Sequence, residues 1–190
     1  MVQAQPVPRA IPIWLWGGDL ETIEYTITHG IRNPDHEKTR FSQMPAFGRD
    51  GILQPNQIQD LVSYVRLLSG REKQSAAARR GAALFEANCA VCHGSDAKGS
   101  RTLGAPNLTD AISLYGLDRA TLTDTITNAR YGVMPRWGQR LDPATIRMLA
   151  AYVHSLGGGE TLPALEDVKD DTLEQVGNPA SNNGVGDEQS

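Results

Sequence analysis

The sequence predicts an all-α fold on three observations. Three segments of the second half have helical features, namely residues 75–88, 119–129 and 143–156. Counterparts of the last two segments occur in the first half, and such a repeat indicates a duplicated helical module. The two cysteines of the chain are separated by two residues and lie directly after the first segment, about one helical turn apart.

The second half contains the complete predicted order of helices. A helix over residues 75–88 leads into the cysteine pair, and a loop with the sequence Pro-Asn-Leu follows at 106–108. The closing helix begins at Pro143 after Asp142, because aspartate accepts the free amide hydrogens of a first turn and proline fits that turn. The glycines at 157–159 are expected to end this helix.

The first half repeats the second half at defined offsets. Residues 19–28 (DLETIEYTIT) align with residues 118–127 (DRATLTDTIT) at an offset of 99. The sequence Met-Pro-Ala-Phe-Gly at Met44 aligns with Met-Pro-Arg-Trp-Gly at Met134 at an offset of 90, and the helices that follow align at an offset of 88. The change from 99 to 90 indicates a nine-residue insertion at residues 32–40 of the first copy, as surface connections tolerate.

The same offset places the cysteine motif of the first copy before Met1, so we expect this chain to hold only the second half of the first module. Residues 160–190 hold eight acidic side chains and one lysine without apolar periodicity, which is typical of disorder. The predicted organisation is an unassigned N-terminus at residues 1–13, the second half of a first module at 14–70, a complete module at 75–158, and a disordered acidic tail at 159–190.

Composition and charge argue against several functions. The net charge is −4, and the acidic tail leaves +3 for residues 1–159. Because no basic face interleaved with aromatic residues is present, a nucleic-acid partner is not expected. The apolar stretches are too short to span a membrane, and the N-terminus lacks the features of a signal peptide. The sequence shows no paired carboxylates, no arrangement of a nucleophile with a base, and no glycine-rich phosphate loop. It therefore gives no indication of catalytic residues.

The sequence Cys89-Ala-Val-Cys92-His93 is the attachment signature of a c-type haem. Two thiols at this spacing on a helical turn can each form a thioether to one porphyrin vinyl group, and the adjacent histidine then lies under the iron. A zinc site is a weaker alternative because it needs four ligands, and a thioredoxin-like pair is weaker because a strand should precede it. The remaining histidines are expected to be solvated at the surface, and they are His29, His36 and His154.

Met44 and Met134 are the candidates for the second axial ligand of the iron. Each precedes a proline, which fixes an extended loop and suits the presentation of a sulfur atom to a metal. A thioether ligand also raises the reduction potential relative to a second histidine. The alternative is that each methionine fills a gap in the core, but the repetition of the Met-Pro sequence favours ligation.

Together these residues resemble the dihaem cytochrome c subunit, subunit III, of cbb3-type cytochrome c oxidases. The resemblance extends from about Trp14 to Gly158, and two tandem modules are a narrower signal than one haem motif. It is carried by Trp14-Leu-Trp-Gly-Gly18, the Met-Pro-Ala-Phe-Gly sequence at Met44, the cysteine motif followed by Gly94, and Pro106-Asn-Leu-Thr109.

The resemblance implies a cytochrome c domain with one haem c in this chain, whereas the full-length family holds two. In the family, two periplasmic cytochrome c domains on a membrane anchor relay electrons to the catalytic subunit, and subunit III itself is not catalytic. The family also exchanges its methionines between modules. By this resemblance Met44 would ligate the haem on Cys89 and Cys92, and Met134 would serve the other haem, whereas a lone cytochrome c domain would use Met134.

The expected partners are therefore the other subunits of a cbb3-type oxidase and an electron-donor cytochrome, at the periplasmic face of the bacterial inner membrane. Membrane association is expected only through the family's anchor, which this sequence lacks, or through partner subunits. Two alternatives remain. The chain could be a free-standing monohaem cytochrome c or haem sensor, or a non-functional truncated fragment, and carbon monoxide binding to the reduced protein would reveal the open axial position of a sensor.

Overall fold

The computed structural model describes residues 14–111, 113–157 and 159–161. Within these ranges the chain forms helices and loops, with isolated β-bridges but no strand, which confirms the predicted all-α class. The predicted N-terminus at residues 1–13 and most of the predicted tail lie outside the described residues. The helices are α1 (Leu20–His29), α2 (Pro55–Leu68), α3 (Ala76–Asn88), α4 (Ala90–His93), α5 (Arg119–Asn128) and α6 (Pro143–Leu156), with a 3₁₀ turn at Trp137–Gln139.

Both copies of the repeat begin their first helix with the same turn. Asp19 caps α1 and Asp118 caps α5, each by accepting a hydrogen bond from the backbone N–H three residues later. Such caps stabilise a helix by about 1 kcal/mol each. Gly17 and Gly116 lie before these caps and share a φ of 105°, a conformation that glycine adopts without strain. The repeat is therefore present in the backbone as well as in the sequence.

The helices pack around two hydrophobic clusters. The α2–α3 cluster lies where α2 meets α3 and α5, and the α1–α6 cluster lies where α1 meets α6 and the 3₁₀ turn. The buried members of the α2–α3 cluster are Phe47, Leu53, Ile58, Leu61, Val62, Val65, Phe85, Ala97, Leu117, Leu122 and Ile126. The buried members of the α1–α6 cluster are Ile23, Ile27, Ile146 and Ala150.

Each cluster combines helices from both copies of the repeat. The closing helix of the first copy, α2, packs on α3 and α5 of the second copy, whereas α1 of the first copy packs on α6 of the second. These contacts cross the predicted boundary between residues 14–70 and 75–158. The two ranges stay a prediction about how the sequence is duplicated. Each hydrophobic cluster is formed by helices from both ranges.

The closest contact between α2 and α3 occurs at Gly81. A Cβ atom added there would lie 2.1 Å from the carbonyl oxygen of Asp60 and 2.8 Å from the Cβ of Tyr64. Beside this point, the Asp60 carboxylate accepts two hydrogen bonds of 2.7 Å from the guanidinium of Arg80. Asp60 is only 8% exposed, and the bidentate pair satisfies a carboxylate that would otherwise be costly to bury.

The ends of the described chain are also held together. The Glu160 carboxylate accepts hydrogen bonds from the Gly18 N–H at 2.9 Å and from Arg101. Glu160 belongs to the predicted acidic tail, so the first residues of this tail contact the body of the protein, while residues 162–190 lie outside the described residues. Among the helices that the structure describes, none combines the length and the apolar character that crossing a bilayer requires.

Replacing Gly81 with alanine is expected to lower the free energy of unfolding, although alanine is favoured over glycine inside a helix by about 1 kcal/mol. The added methyl group would overlap the Asp60 carbonyl oxygen, so α2 and α3 would have to separate at a cost of ~1–3 kcal/mol. Urea unfolding followed by circular dichroism measures the change. Gly132→Ala is the matched control, because no atom lies within 4 Å of its added Cβ. An unfolding midpoint of Gly81→Ala at or above the wild-type value would contradict this expectation.

Candidate haem-binding site

The two cysteines lie on one tight turn between α3 and α4. The Cys89 N–H donates to the Phe85 carbonyl at 2.7 Å, which ends α3, and the Cys92 N–H donates to the Cys89 carbonyl at 3.1 Å. Both side chains are half-buried free thiols. The spacing of the motif therefore places two thiols on the same turn, as a double thioether to one porphyrin requires.

His93 is held by the loop that follows the motif. Its Nδ1 lies 3.0 Å from the carbonyl oxygen of Pro106, and because a carbonyl only accepts, Nδ1 carries the hydrogen. Nε2 then keeps its lone pair free to bind iron, and a backbone carbonyl on the other nitrogen is typical of metal-ligating histidines. Burial lowers the pKa of His93 even though the bond to Pro106 favours the protonated ring, so the neutral ligand form is favoured.

The loop between His93 and Pro106 closes on itself to place this carbonyl. The Gly99 N–H donates to the His93 carbonyl at 2.8 Å, and the Leu108 N–H donates to the Ala97 carbonyl at 2.8 Å. Gly99 has a φ of 85°. A Cβ atom there would lie 2.3 Å from the Ala105 carbonyl oxygen, so this close turn requires glycine.

An apolar wall lies beside the thiols. Phe85 is 1% exposed, and the half-buried Cys89, Ala90 and Leu108 pack against the same α2–α3 cluster. Burial, with a smaller contribution from neighbouring Cys92, raises the pKa of the Cys89 thiol to about 11. Two thiols on one turn, a histidine with a free Nε2 and an apolar wall together fit a covalently bound haem.

The structure separates the two candidate methionines. Met44 packs against the α2–α3 cluster, which Cys89 also contacts. Met134 packs against the α1–α6 cluster instead. We call residues 41–48 the Met44 loop and residues 131–138 the Met134 loop. The Met44 loop leads into α2, α3 leads into the cysteine motif, and α2 packs on α3.

A second apolar space lies beside Met134. It is a cavity of about 240 Å³, and the Nε1 atom of Trp14 nearby is buried without a hydrogen-bond partner among the described residues. Burying an N–H without a hydrogen-bond partner costs free energy, so such a group is unusual in a packed core. The cavity is lined by Trp14, Leu15, Trp16, Gly17, Ile23, Thr26, Ile27, Met134 and Val153.

The prediction that the remaining histidines are solvated is wrong. His29 Nδ1 lies 2.8 Å from His36 Nε2, and Arg136 Nη1 lies 3.2 Å from His36 Nδ1. The rings of His29 and His36 are half-buried because the insertion folds over the end of α1. His154 is also half-buried, and its Nε2 lies 3.0 Å from the carbonyl oxygen of Glu160. No local sequence pattern predicts these tertiary contacts. Within the described ranges, no group of three His, Cys, Asp or Glu side chains is arranged to hold a metal ion.

Comparison with known proteins agrees with the resemblance seen in the sequence. A family model described as cytochrome C oxidase, cbb3-type, subunit III matches residues 76–153. The cbb3-type cytochrome c oxidase subunit CcoP of Cereibacter sphaeroides is 58% identical over 147 residues, which cover 77% of this chain and 51% of the relative. The FixP subunit of Bradyrhizobium sp. strain ORS 278 is 57% identical over 148 residues, which cover 77% of this chain and 51% of the relative.

A third relative extends the comparison to another genus. The FixP subunit of Azorhizobium caulinodans is 54% identical over 148 residues, which cover 77% of this chain and 50% of the relative. The chain therefore spans about half the length of the curated relatives it matches. The likeness therefore concerns the shared half of these relatives.

In the haem-free protein, the thiol of Cys89 is expected to react slowly with iodoacetamide near neutral pH and faster as the pH approaches 11. Only the thiolate attacks, and a raised pKa means that the thiolate forms at higher pH than usual. Mass spectrometry of a Cys92→Ser variant follows this one thiol across pH. The same variant unfolded in urea is the control and should react fully at the ordinary thiol pKa. A folded protein that titrates with the unfolded one would contradict the burial of Cys89.

Proposed function

Residues 76–153 belong to the family of subunit III of cbb3-type cytochrome c oxidases, and on this basis we propose that the chain binds one haem c and transfers electrons one at a time. The observation that carries the proposal is the hydrogen bond between His93 Nδ1 and the Pro106 carbonyl at 3.0 Å. This bond fixes the ring with Nε2 available, beside two thiols that can attach a porphyrin. When bound, haem c supplies a one-electron couple between ferric and ferrous iron.

Each site residue has a distinct role in this proposal. The thiols of Cys89 and Cys92 anchor the porphyrin by thioether bonds, and His93 Nε2 binds the iron as the first axial ligand. The carbonyl of Pro106 orients the imidazole and increases its basicity. The buried side chains of the α2–α3 cluster keep water from one face of the site, which affects the potential of the couple.

Met44 is the proposed second axial ligand. Its support is the α2–α3 cluster, against which both Met44 and Cys89 pack, whereas Met134 packs against the other cluster. A neutral thioether stabilises the ferrous form relative to a second histidine, so we expect a potential suited to accepting electrons from a donor cytochrome. Met134, beside the cavity near Trp14, is proposed to serve the second haem of the family.

The proposed setting is a cbb3-type terminal oxidase of aerobic respiration. The relatives are named as subunits of such oxidases, and we propose the other oxidase subunits and an electron-donor cytochrome as partners. The chain would act at the periplasmic face of the bacterial inner membrane and relay electrons to the catalytic subunit without catalysing a reaction itself. Residues 14–70 and 75–158 are proposed to descend from two copies of one cytochrome c module.

A first experiment tests covalent haem binding and redox activity. The protein is produced in the periplasm, with an added export signal, in cells that also express haem-attachment machinery. We expect a band that stains for haem and a sharp alpha band in the reduced-minus-oxidised spectrum, because two strong axial ligands give low-spin iron. Cys89→Ala combined with Cys92→Ala is the matched control and should lose the stained band. A wild-type protein without covalent haem would overturn the proposed function.

Carbon monoxide binding separates an electron carrier from a haem sensor. If Met44 fills the second axial position, carbon monoxide should change the spectrum of the reduced wild-type protein little. The Met44→Ala variant should bind it readily, because this variant opens the position. Strong binding to both proteins would favour the sensor alternative.

Single methionine variants test the assignment of the second ligand. The far-red absorption band of oxidised cytochromes c reports a bond between sulfur and iron, so Met44→Ala should abolish this band and Met134→Ala should keep it. Met148→Ala is the matched control, since Met148 is 66% exposed on α6. Loss of the band only in Met134→Ala would instead assign Met134 as the ligand.

A further inference from the structure

The insertion at residues 32–40 lies between the two methionine loops and contacts both. Ile31, directly before the insertion, pairs with Met134 through two backbone hydrogen bonds of 3.0 Å. Across the insertion, the Arg32 N–H donates to the Arg40 carbonyl at 2.8 Å. The insertion is therefore fixed to the Met134 loop at one end and continues directly into the Met44 loop at the other.

The side chain of Arg32 joins the two loops. Its Nε donates to the carbonyl of Ser42 at 2.7 Å, and its Nη1 donates to the carbonyl of Gly132 at 2.9 Å. Its guanidinium carbon also lies 5.5 Å from the ring centre of Tyr131. Ser42 and Gly132 are equivalent by the offset of 90, since each precedes its methionine by two residues. One guanidinium thus binds two carbonyl oxygens that occupy equivalent positions in the two copies of the repeat.

The backbone of Arg32 indicates that these contacts hold it in place. Its φ is 58°, a left-handed conformation that residues other than glycine rarely adopt. Such a conformation persists only where surrounding contacts compensate for its strain. Here the two side-chain hydrogen bonds and the backbone bond to Arg40 supply that compensation.

We infer that Arg32 is a positioning residue, which holds Met44 against the haem iron by tying the Met44 loop to the Met134 loop. This inference rests on the proposed role of Met44 as axial ligand. If the Met44 loop moves away for part of the time, an added ligand can take its place on the iron, and the apparent affinity for that ligand rises with the open fraction. The planar fork of arginine matches two carbonyls, whereas lysine is a point charge on a flexible stem.

The experiment measures how easily imidazole displaces the methionine in the oxidised, haem-loaded protein. Imidazole is titrated into wild type, Arg32→Gln and Arg32→Lys, and the loss of the far-red band is followed. Both variants are expected to bind imidazole about tenfold more tightly than wild type, because both lose the two-carbonyl contact. Arg79→Gln is the matched control, since Arg79 is an exposed arginine on α3 without a side-chain hydrogen bond among the described residues.

Two results would overturn the inference. Equal imidazole affinity in wild type and both variants would show that Arg32 does not hold the loop. Wild-type affinity in Arg32→Lys with tighter binding in Arg32→Gln would show that the charge matters and the two-carbonyl geometry does not. A sharp alpha band in each reduced variant verifies that haem attachment and folding are intact, and Arg32→Lys keeps the comparison informative should Arg32→Gln fold poorly.

The same data separate this inference from the proposed function. A wild-type protein without the far-red band, or a Met44→Ala variant that keeps it, would refute Met44 as ligand and the inference with it. A band that depends on Met44 but is indifferent to Arg32 would refute only the positioning role.

Discussion

The close approach of α2 to α3 at Gly81 is the contact on which the rest of the structure depends. The Met44 loop leads into α2 and α3 leads into the cysteine motif, so this one crossing joins the helices that follow the loop and precede the motif. The missing side chain of Gly81 lets the two backbones meet, and the bidentate pair of Asp60 and Arg80 fixes the crossing beside it. The α2–α3 cluster then supplies an apolar surface against which Cys89 packs.

Much of the local structure could be predicted from the sequence. The helices over residues 75–88, 119–129 and 143–156 appear within one residue of their predicted limits, because capping residues such as Asp142 and the apolar spacing act over a few neighbours. The haem motif was recognisable for the same reason, since its chemistry requires three residues within a single turn. The hydrogen bond between His93 and the carbonyl of Pro106 could not be predicted in this way, because every residue has a backbone carbonyl and its position carries no sequence signal.

Contacts between distant segments are the part that the sequence left open. The repeat identifies Met44 and Met134 as equivalent positions, but equivalence does not say whether a loop packs within its own copy or against the other. That choice depends on the total burial of α2 against α3, which is a tertiary property. Likewise His29 and His36 carry no local sign of their pairing, and Arg32 could be recognised as a bridge only once both loops were placed.

The interleaving of the two copies also determines the order in which the chain can fold. α2 and α3 are joined by the short connection at residues 69–75, so their contact closes early and at little entropic cost. α1, by contrast, can complete its packing only after α6 has been made, and α6 is the last helix among the described residues. Contacts of such high sequence separation form slowly. The α1–α6 cluster should therefore be the last to assemble, after the turn that carries Cys89 and Cys92 has formed.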